Sequence, residues 1–244
     1  SDLVAMRRDL HVLLSLLAGV PACFADDNRQ LTTDAPTTDG GSGSTDATTG
    51  EPATTGGPSS TGAADPPQVL IVPLVDSEND ALQNPGGAVL VDYGWVTLGS
   101  SDHWGGMRFA VPDLPQGATI VAAEFLVYVD DDNGVFDSPR VEIYGELAPN
   151  PPVFTATTDD IGGRPRTNAS VLWSADDIGA GLQKSPSIVS VIQELVDQPD
   201  WAPNQHIVLI LDATAQTGPN ASFEYRQFDL GPTFAPTLGI QYYP

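Results

Sequence analysis

The chain has 244 residues and a formal net charge of −23, from 32 acidic and 9 basic residues, one of the latter a lysine, Lys184. So acidic a surface repels phosphate backbones, which argues against nucleic acid as a partner, and it suits solubility, high ionic strength or divalent cations. The single cysteine, Cys23, excludes an intrachain disulfide framework, and the length allows a domain that buries a core without one.

The N-terminal stretch reads as a targeting segment. Met6-Arg7-Arg8-Asp9-Leu10-His11 is a charged region, Val12 to Val20 is an apolar run, and Pro21-Ala22-Cys23 follows. About nine apolar residues are too few to span a bilayer as a helix. The pattern resembles a bacterial lipoprotein signal, in which the cysteine becomes the acylated first residue of the mature chain. Val20 and Ala22 fit that motif and Pro21 departs from it, so ordinary cleavage after Ala22 or Ala25 is the rival. Lipidation at Cys23 would anchor the chain to a membrane, and either route implies export to an outer membrane, a cell surface or the medium.

Residues 26–66 are nearly all Thr, Asp, Gly, Ser, Ala and Pro, with recurring phrases such as Thr37-Thr38-Asp39, Thr48-Thr49-Gly50 and Thr54-Thr55-Gly56. With almost no apolar surface to offset ordering entropy, this spacer is expected to be disordered. A flexible chain of about 40 residues spans roughly 35 Å, enough for a passive tether.

From Pro67 the composition changes to short apolar alternations punctuated by Gly, Pro and Asn. Val69 to Val72, Val89 to Val91, Trp95 to Leu98 and Met107 to Val111 come first. Thr119 to Asp130 is a long strand in which Ile120, Ala122, Glu124, Leu126 and Tyr128 alternate with Val121, Ala123, Phe125, Val127 and Val129. Val141 to Leu147, Ser170 to Trp173, His206 to Leu211, Ser222 to Phe228 and Leu238 to Tyr242 complete the set. The pattern predicts an all-β fold, a β-sandwich, over residues 67–244. One helix interrupts it. Ser185-Pro186-Ser187 offers a hydroxyl cap and a proline for the first turn, and Ile188, Val191, Ile192 and Leu195 form one apolar stripe ending before Pro199. The stripe predicts a helix that plugs an edge or end of the sandwich.

Several stretches together carry a resemblance. They are Met107-Arg108-Phe109 with Leu114-Pro115-Gln116-Gly117-Ala118-Thr119-Ile120, Ile143-Tyr144-Gly145-Glu146, Arg164-Pro165-Arg166-Thr167, Ala169 to Trp173, Ser187 to Leu211 and Ala235-Pro236-Thr237-Leu238. Over roughly residues 80–244 the chain resembles the DNRLRE-type, carbohydrate-binding-module-like jelly-roll domains of secreted bacterial proteins. That resemblance implies a β-jelly-roll serving as an accessory module, some relatives of which bind polysaccharides such as alginate. It carries no catalytic residue set.

Three places could hold chemistry. Asp130, Asp131, Asp132, Asn133 and Asp137 cluster oxygen ligands on one turn, which suits Ca²⁺, although the same residues also make an ordinary polar hairpin turn. Tyr93, Trp95 and Trp104 lie in or beside Gly/Ser/Asp-rich loops, where flat rings could meet the C–H faces of sugars; packing is the plainer role for such residues. Arg164-Pro165-Arg166 either holds an anionic ligand or pairs with Asp159 and Asp160. Trp173 and Trp201 read as core, and His206 as a strand end.

No Gly-x-Ser-x-Gly elbow and no histidine pair at metal-ligand spacing is present. A carboxylate pair drawn from Glu124, Glu142, Glu146, Glu194 and Glu224 is the remaining route to glycoside hydrolysis. The sequence therefore predicts a non-enzymatic, surface-tethered module for extracellular polysaccharide or adhesion, with Ca²⁺ as the candidate cofactor. The alternatives are a structural role with envelope proteins as partners and, third, a polysaccharide hydrolase or lyase.

Overall fold

The short alternating segments form strands, here seen in a computed structural model that describes residues 65–99, 103–129, 135–136, 139–174, 180–215 and 221–244. Cys23, the spacer up to residue 64, and the turn residues Asp130, Asp131, Asp132, Asn133 and Asp137 lie outside the described residues. In chain order the strands are β1 (Gln68–Pro73), β2 (Asp80–Gln83), β3 (Val89–Leu90), β4 (Trp95–Leu98), β5 (Trp104–Ala110) and β6 (Thr119–Val129). They continue with β7 (Val135–Phe136), β8 (Arg140–Gly145), β9 (Val171–Ser174), β10 (Gly181–Lys184), β11 (His206–Asp212), β12 (Ser222–Arg226) and β13 (Thr237–Tyr243). Helix α1 (Val189–Val196) falls between β10 and β11.

Two antiparallel sheets face each other. Sheet A runs β1-β13-β6-β12-β4, with β10 also on β6 and β7 on β12; sheet B runs β3-β2-β5-β11-β8-β9. The chain crosses repeatedly from one sheet to the other, the connectivity of a jelly roll. Alternation assigns the faces. Ala123, Phe125, Val127 and Val129 of β6 point between the sheets, as do Met107 and Phe109 of β5 and Ile207, Leu209 and Leu211 of β11. Trp173 is fully buried among them, with its ring edge-on to Phe125 at 5.5 Å. Trp201 closes one end of the core, and its indole N–H donates to the Leu114 carbonyl at 3.0 Å.

The strict period breaks once on β6. The ladder to β13 slips between Gln241 and Tyr242, so that Gln241 faces Ala122 while Tyr242 faces Ile120. Val121 is the extra residue of this bulge and is 44 % exposed, whereas Ile120 turns into the core at 5 %.

β6 also changes neighbours along its length. Leu126 pairs with both Thr237 of β13 and Lys184 of β10. Val129 pairs with both Gly181 of β10 and Tyr225 of β12. Opposite the continuous β10 edge, β13 therefore gives way to β12 within three residues, and the turns of residues 227–236 fill the split.

Helix α1 packs its apolar stripe against β6 and β8, with Ile188, Val191, Ile192, Leu195 and Val196 buried. Leu195 reaches β8 only because Gly145 has no side chain: a Cβ there would lie 2.7 Å from Leu195 Cδ1. The hydroxyl cap expected from Ser185-Pro186-Ser187 is not used. Ile188 stands at the helix start without a side-chain cap, and Ser185 Oγ instead accepts the Phe125 N–H at 3.0 Å. With the Ser185 and Ile188 amides donating to Phe125 and Ala123, residues 185–188 continue the pairing of β10 along β6. That backbone use leaves Ser185 tied to the sheet.

Candidate ligand-binding face

The two outer faces of the sandwich differ. On sheet B the segment of residues 147–168 folds across the strands, and buried polar side chains hold it there. Gln83, fully buried on β2, accepts the Ile161 and Gly162 N–H groups through Oε1 at 2.9 and 2.8 Å and donates to Asp159 through Nε2. Arg108 of β5 donates to the Pro151 carbonyl at 2.8 Å and to Asn79 at 2.7 Å. Arg164 lies 4.4 Å above the Phe154 ring, pairs with Glu146 at 2.8 Å and with Asp160 at 3.2 Å, and donates to the Pro152 and Val153 carbonyls. Burial raises the Glu146 carboxyl above the usual range, and Arg164 works against that rise.

Phe154 itself lies flat on β5 because residue 106 is glycine; a Cβ there would stand 2.4 Å from its Cζ. Gly105, on the opposite face, makes the same room for the Tyr225 hydroxyl in the core, at 2.7 Å. Glycine at both positions is what lets one strand carry a buried ring on each side. Sheet B is thus a covered layer, and Arg166 completes the cover by pairing with Asp212 and lying 5.2 Å from the Tyr144 ring.

Sheet A keeps an aromatic cluster on its outer face. Val96 and Leu98 of β4 are buried in the core, which turns Trp95 and Thr97 outward. The register sets Arg226 opposite Trp95 and Glu224 opposite Thr97. Thr97 donates to Glu224 at 2.6 Å. The Arg226 guanidinium lies 5.2 Å from the Trp95 ring centre, 4.8 Å from Tyr128 and 4.2 Å from Phe234. Tyr128 and Phe234 meet edge-on at 5.1 Å. Each ring comes from a different element, namely β4, β6 and the turn that fills the split between β12 and β13. A cation between ring faces holds them at fixed angles, and such contacts contribute about 0.5–2 kcal/mol each.

Further along the same face, Lys184 of β10 pairs with Glu124 of β6 at 3.1 Å, and Leu182, 47 % exposed, stands opposite Tyr128. Glu124 and Tyr128 are four residues apart on one strand, about 13 Å. The outer face thus offers rings at one end and a charged donor–acceptor pair at the other.

The sequence-derived candidates are placed as follows. Trp95 stands in this cluster, and Tyr93, 49 % exposed, lies two residues ahead of it. Trp104 does not join them. It is the first residue of β5, and it packs on the outer face of sheet B against the cluster of Ala81, Phe154 and Ile161. His103 meets its ring edge-on at 5.3 Å. The Arg164-Pro165-Arg166 cluster is engaged with Asp160, Glu146 and Asp212. His206 begins β11, where its ring contacts Asn150 at 2.7 Å, and burial followed by the charge of Arg108 lowers its basicity.

Of the glutamates that might pair for hydrolysis, Glu142 accepts from Ser170, Glu146 binds Arg164, and Glu194 accepts the Asn168 and Ala169 N–H groups. Glu224 accepts from Thr97 and Glu124 binds Lys184. Among the described residues no group of three or more His, Cys, Asp or Glu is arranged to hold a metal ion, and no helix is long and apolar enough to cross a membrane.

Sequence reasoning missed Tyr128, Arg226 and Phe234. The alternation along β6 already puts Tyr128 on the face opposite the core set. Nothing local joins it to Trp95 or Phe234, which are 33 and 106 residues away. No protein-family model matches the chain, and no curated protein matches it.

Proposed function

We propose that the chain is a non-catalytic, surface-tethered module that binds extracellular polysaccharide or mediates adhesion, with the outer face of sheet A as its contact surface. The observation that carries this reading is the gathering of Trp95, Tyr128 and Phe234 around Arg226 on the outer face of sheet A. Partly exposed rings held at fixed angles stack on sugar C–H faces, while Lys184, Glu224 and Thr97 supply donors and acceptors for hydroxyls. The resemblance to carbohydrate-binding-module-like jelly rolls points the same way, and a lipid anchor at Cys23 followed by a long polar spacer would place such a module beyond a membrane surface. Calcium belongs to the same proposal, since Asp130, Asp131, Asp132 and Asn133 begin two residues after Tyr128 in sequence.

The test is binding of the full chain to an array of neutral and acidic polysaccharides, in calcium and in chelator. The reading predicts retention on at least one polysaccharide and loss of that retention in Trp95→Ala. Silence on every polysaccharide in both conditions would overturn it.

A second reading, docking to envelope proteins, draws on β1. This six-residue strand pairs on one side with β13 and, among the described residues, with no strand on the other, and Val69 on it is 46 % exposed. An open edge of that length is a template for strand addition. Co-purification of a stoichiometric protein partner, lost when proline replaces Leu70, would support it.

A further inference from the structure

Asp80 is the first residue of β2 and points between the sheets, 1 % exposed. Its Oδ2 accepts the backbone N–H of Phe228 at 2.8 Å, and its Oδ1 has no hydrogen-bond partner among the described residues. Phe228 opens a short 3-10 turn, Phe228–Leu230, whose amides then chain forward. The Gly231 N–H donates to the Phe228 carbonyl at 2.8 Å, and the Phe234 N–H to the Gly231 carbonyl at 3.0 Å. Phe234 is the ring closest to Arg226.

The preceding residue ties in the other wall. Gln227 is 1 % exposed; with its side-chain amide assigned so that the nitrogen donates to the Tyr93 carbonyl, the oxygen accepts the Ala81 N–H at 3.2 Å, and its own backbone N–H donates to the Gly94 carbonyl at 2.9 Å. Tyr93 and Gly94 lead directly into Trp95. The turn of residues 227–230 thus rests on β2 beneath and holds two of the three rings.

We propose that Asp80 is a pH-sensitive latch on this turn, so that ionisation of its carboxyl releases the turn, unseats Phe234 and weakens ligand binding on the outer face of sheet A. The proposal rests on the binding function assigned above to that face.

A buried carboxylate is costly in proportion to its isolation from water and partners. Burial is the main force raising the Asp80 carboxyl; the Phe228 N–H opposes it, the charge of Asp229 adds to it, and the balance pushes the group up to about 8. The charged groups around it are few. Asp229 faces it from the turn, with its own Oδ1 accepting from Ser77. Asp76 and Glu78 before β2 are exposed. On β5 the residue opposite Asp80 is Met107, and Arg108 beside it bonds Asn79 and Pro151 on the outer face of sheet B. Arg226 leaves β12 on the outer face of sheet A.

Among the described residues no cation therefore meets the ionised form, which must reach water. β2 is locked between β3 and β5, whereas Asp229 and Leu230 of the turn are exposed, so the turn is the element that yields.

The test reads the Phe228 amide directly in the full chain. Hydrogen exchange, corrected for intrinsic rate, is followed from pH 6 to 9.5, alongside affinity for whichever polysaccharide the array identifies. The expected result is protection that falls by up to about tenfold per pH unit from pH 6 as pH rises towards 8 and levels off above it, with affinity falling in the same window. Asp80→Asn flattens both profiles. Asp229→Asn, on the exposed turn, moves the levelling-off to lower pH and serves if Asp80→Asn does not fold. Protection that is flat with pH in the native chain, or an unchanged slope in Asp80→Asn, overturns the latch. If no polysaccharide binds, the function assigned to the face fails and the link to binding with it. The exchange profile then still decides whether Asp80 controls the turn.

Discussion

Arg226 and Trp95 stand directly opposite each other on β12 and β4, and the guanidinium lies 5.2 Å from the indole ring while also facing Tyr128 and Phe234. One cation therefore organises three rings from three elements. Replacing it with methionine keeps bulk but removes the charge. Arg226→Met is expected to lower unfolding stability by about 1–3 kcal/mol, read as a shift in urea midpoint, and to loosen the rings. An unchanged midpoint with unchanged near-UV dichroism would show that the rings hold themselves.

Arg164 and Glu146 make the reciprocal case on sheet B, a buried pair whose members are 6 % and 5 % exposed. Removing one partner strands the other's charge. Arg164→Met is expected to cost about 3–5 kcal/mol, while Arg164→Met combined with Glu146→Leu recovers much of that loss. Equilibrium unfolding of the two variants beside the native chain measures the difference. Equal losses would mean that Arg164 acts through its contacts with the Pro152 and Val153 carbonyls and not through the ion pair.

Gly106 under Phe154 tests whether the cover of sheet B depends on close approach. A Cβ placed 2.4 Å from the ring forces it off the strand. Gly106→Ala is expected to destabilise by about 1–3 kcal/mol and to raise proteolysis within residues 147–168, mapped by mass spectrometry. Cleavage elsewhere, with that segment still protected, would contradict the arrangement.

Stability should also depend on pH through Asp80. Its folded pKa, about 8, lies above the ordinary carboxyl value of 3.8, so between those values the folded state binds more protons than the unfolded one. Stability from this group is full below about pH 4 and is lost as pH rises through 8, by at most about 1.4 kcal/mol per unit. Asp80→Asn, measured by thermal unfolding at pH 5 and pH 8, should show a smaller drop between the two than the native chain. A native chain no less stable at pH 8 than at pH 5 would place the folded pKa near the ordinary value.

How far the sequence revealed this follows from where polar groups lie. β8 alternates cleanly because one face of it is core, β11 is a continuous apolar run because both of its faces are covered, and β6 is long enough to be legible despite its bulge. β2 was not legible, because Asp80 and Gln83 are buried for tertiary reasons, one under a turn and the other holding residues 159–162. The strand expected from Met107 begins three residues earlier, because Gly105 and Gly106 sit inside β5 where rings approach from both sides. Ser185 read as a helix cap but bonds the strand beside it. Trp95 could be named from its setting, and its partnership with Tyr128, Phe234 and Arg226 could not, since it depends on the pairing of β4, β6, β12 and the turn before β13.

The most direct test of the account is the affinity of the full chain for a polysaccharide selected from the array, measured by titration for the native protein, Trp95→Ala, Tyr128→Ala and a control on the other sheet, Leu172→Ser. The account predicts that each ring substitution weakens binding by about tenfold or more while the control binds as the native chain does. Binding indifferent to Trp95 and Tyr128, or lost equally in the control, would contradict the placement of the site on sheet A.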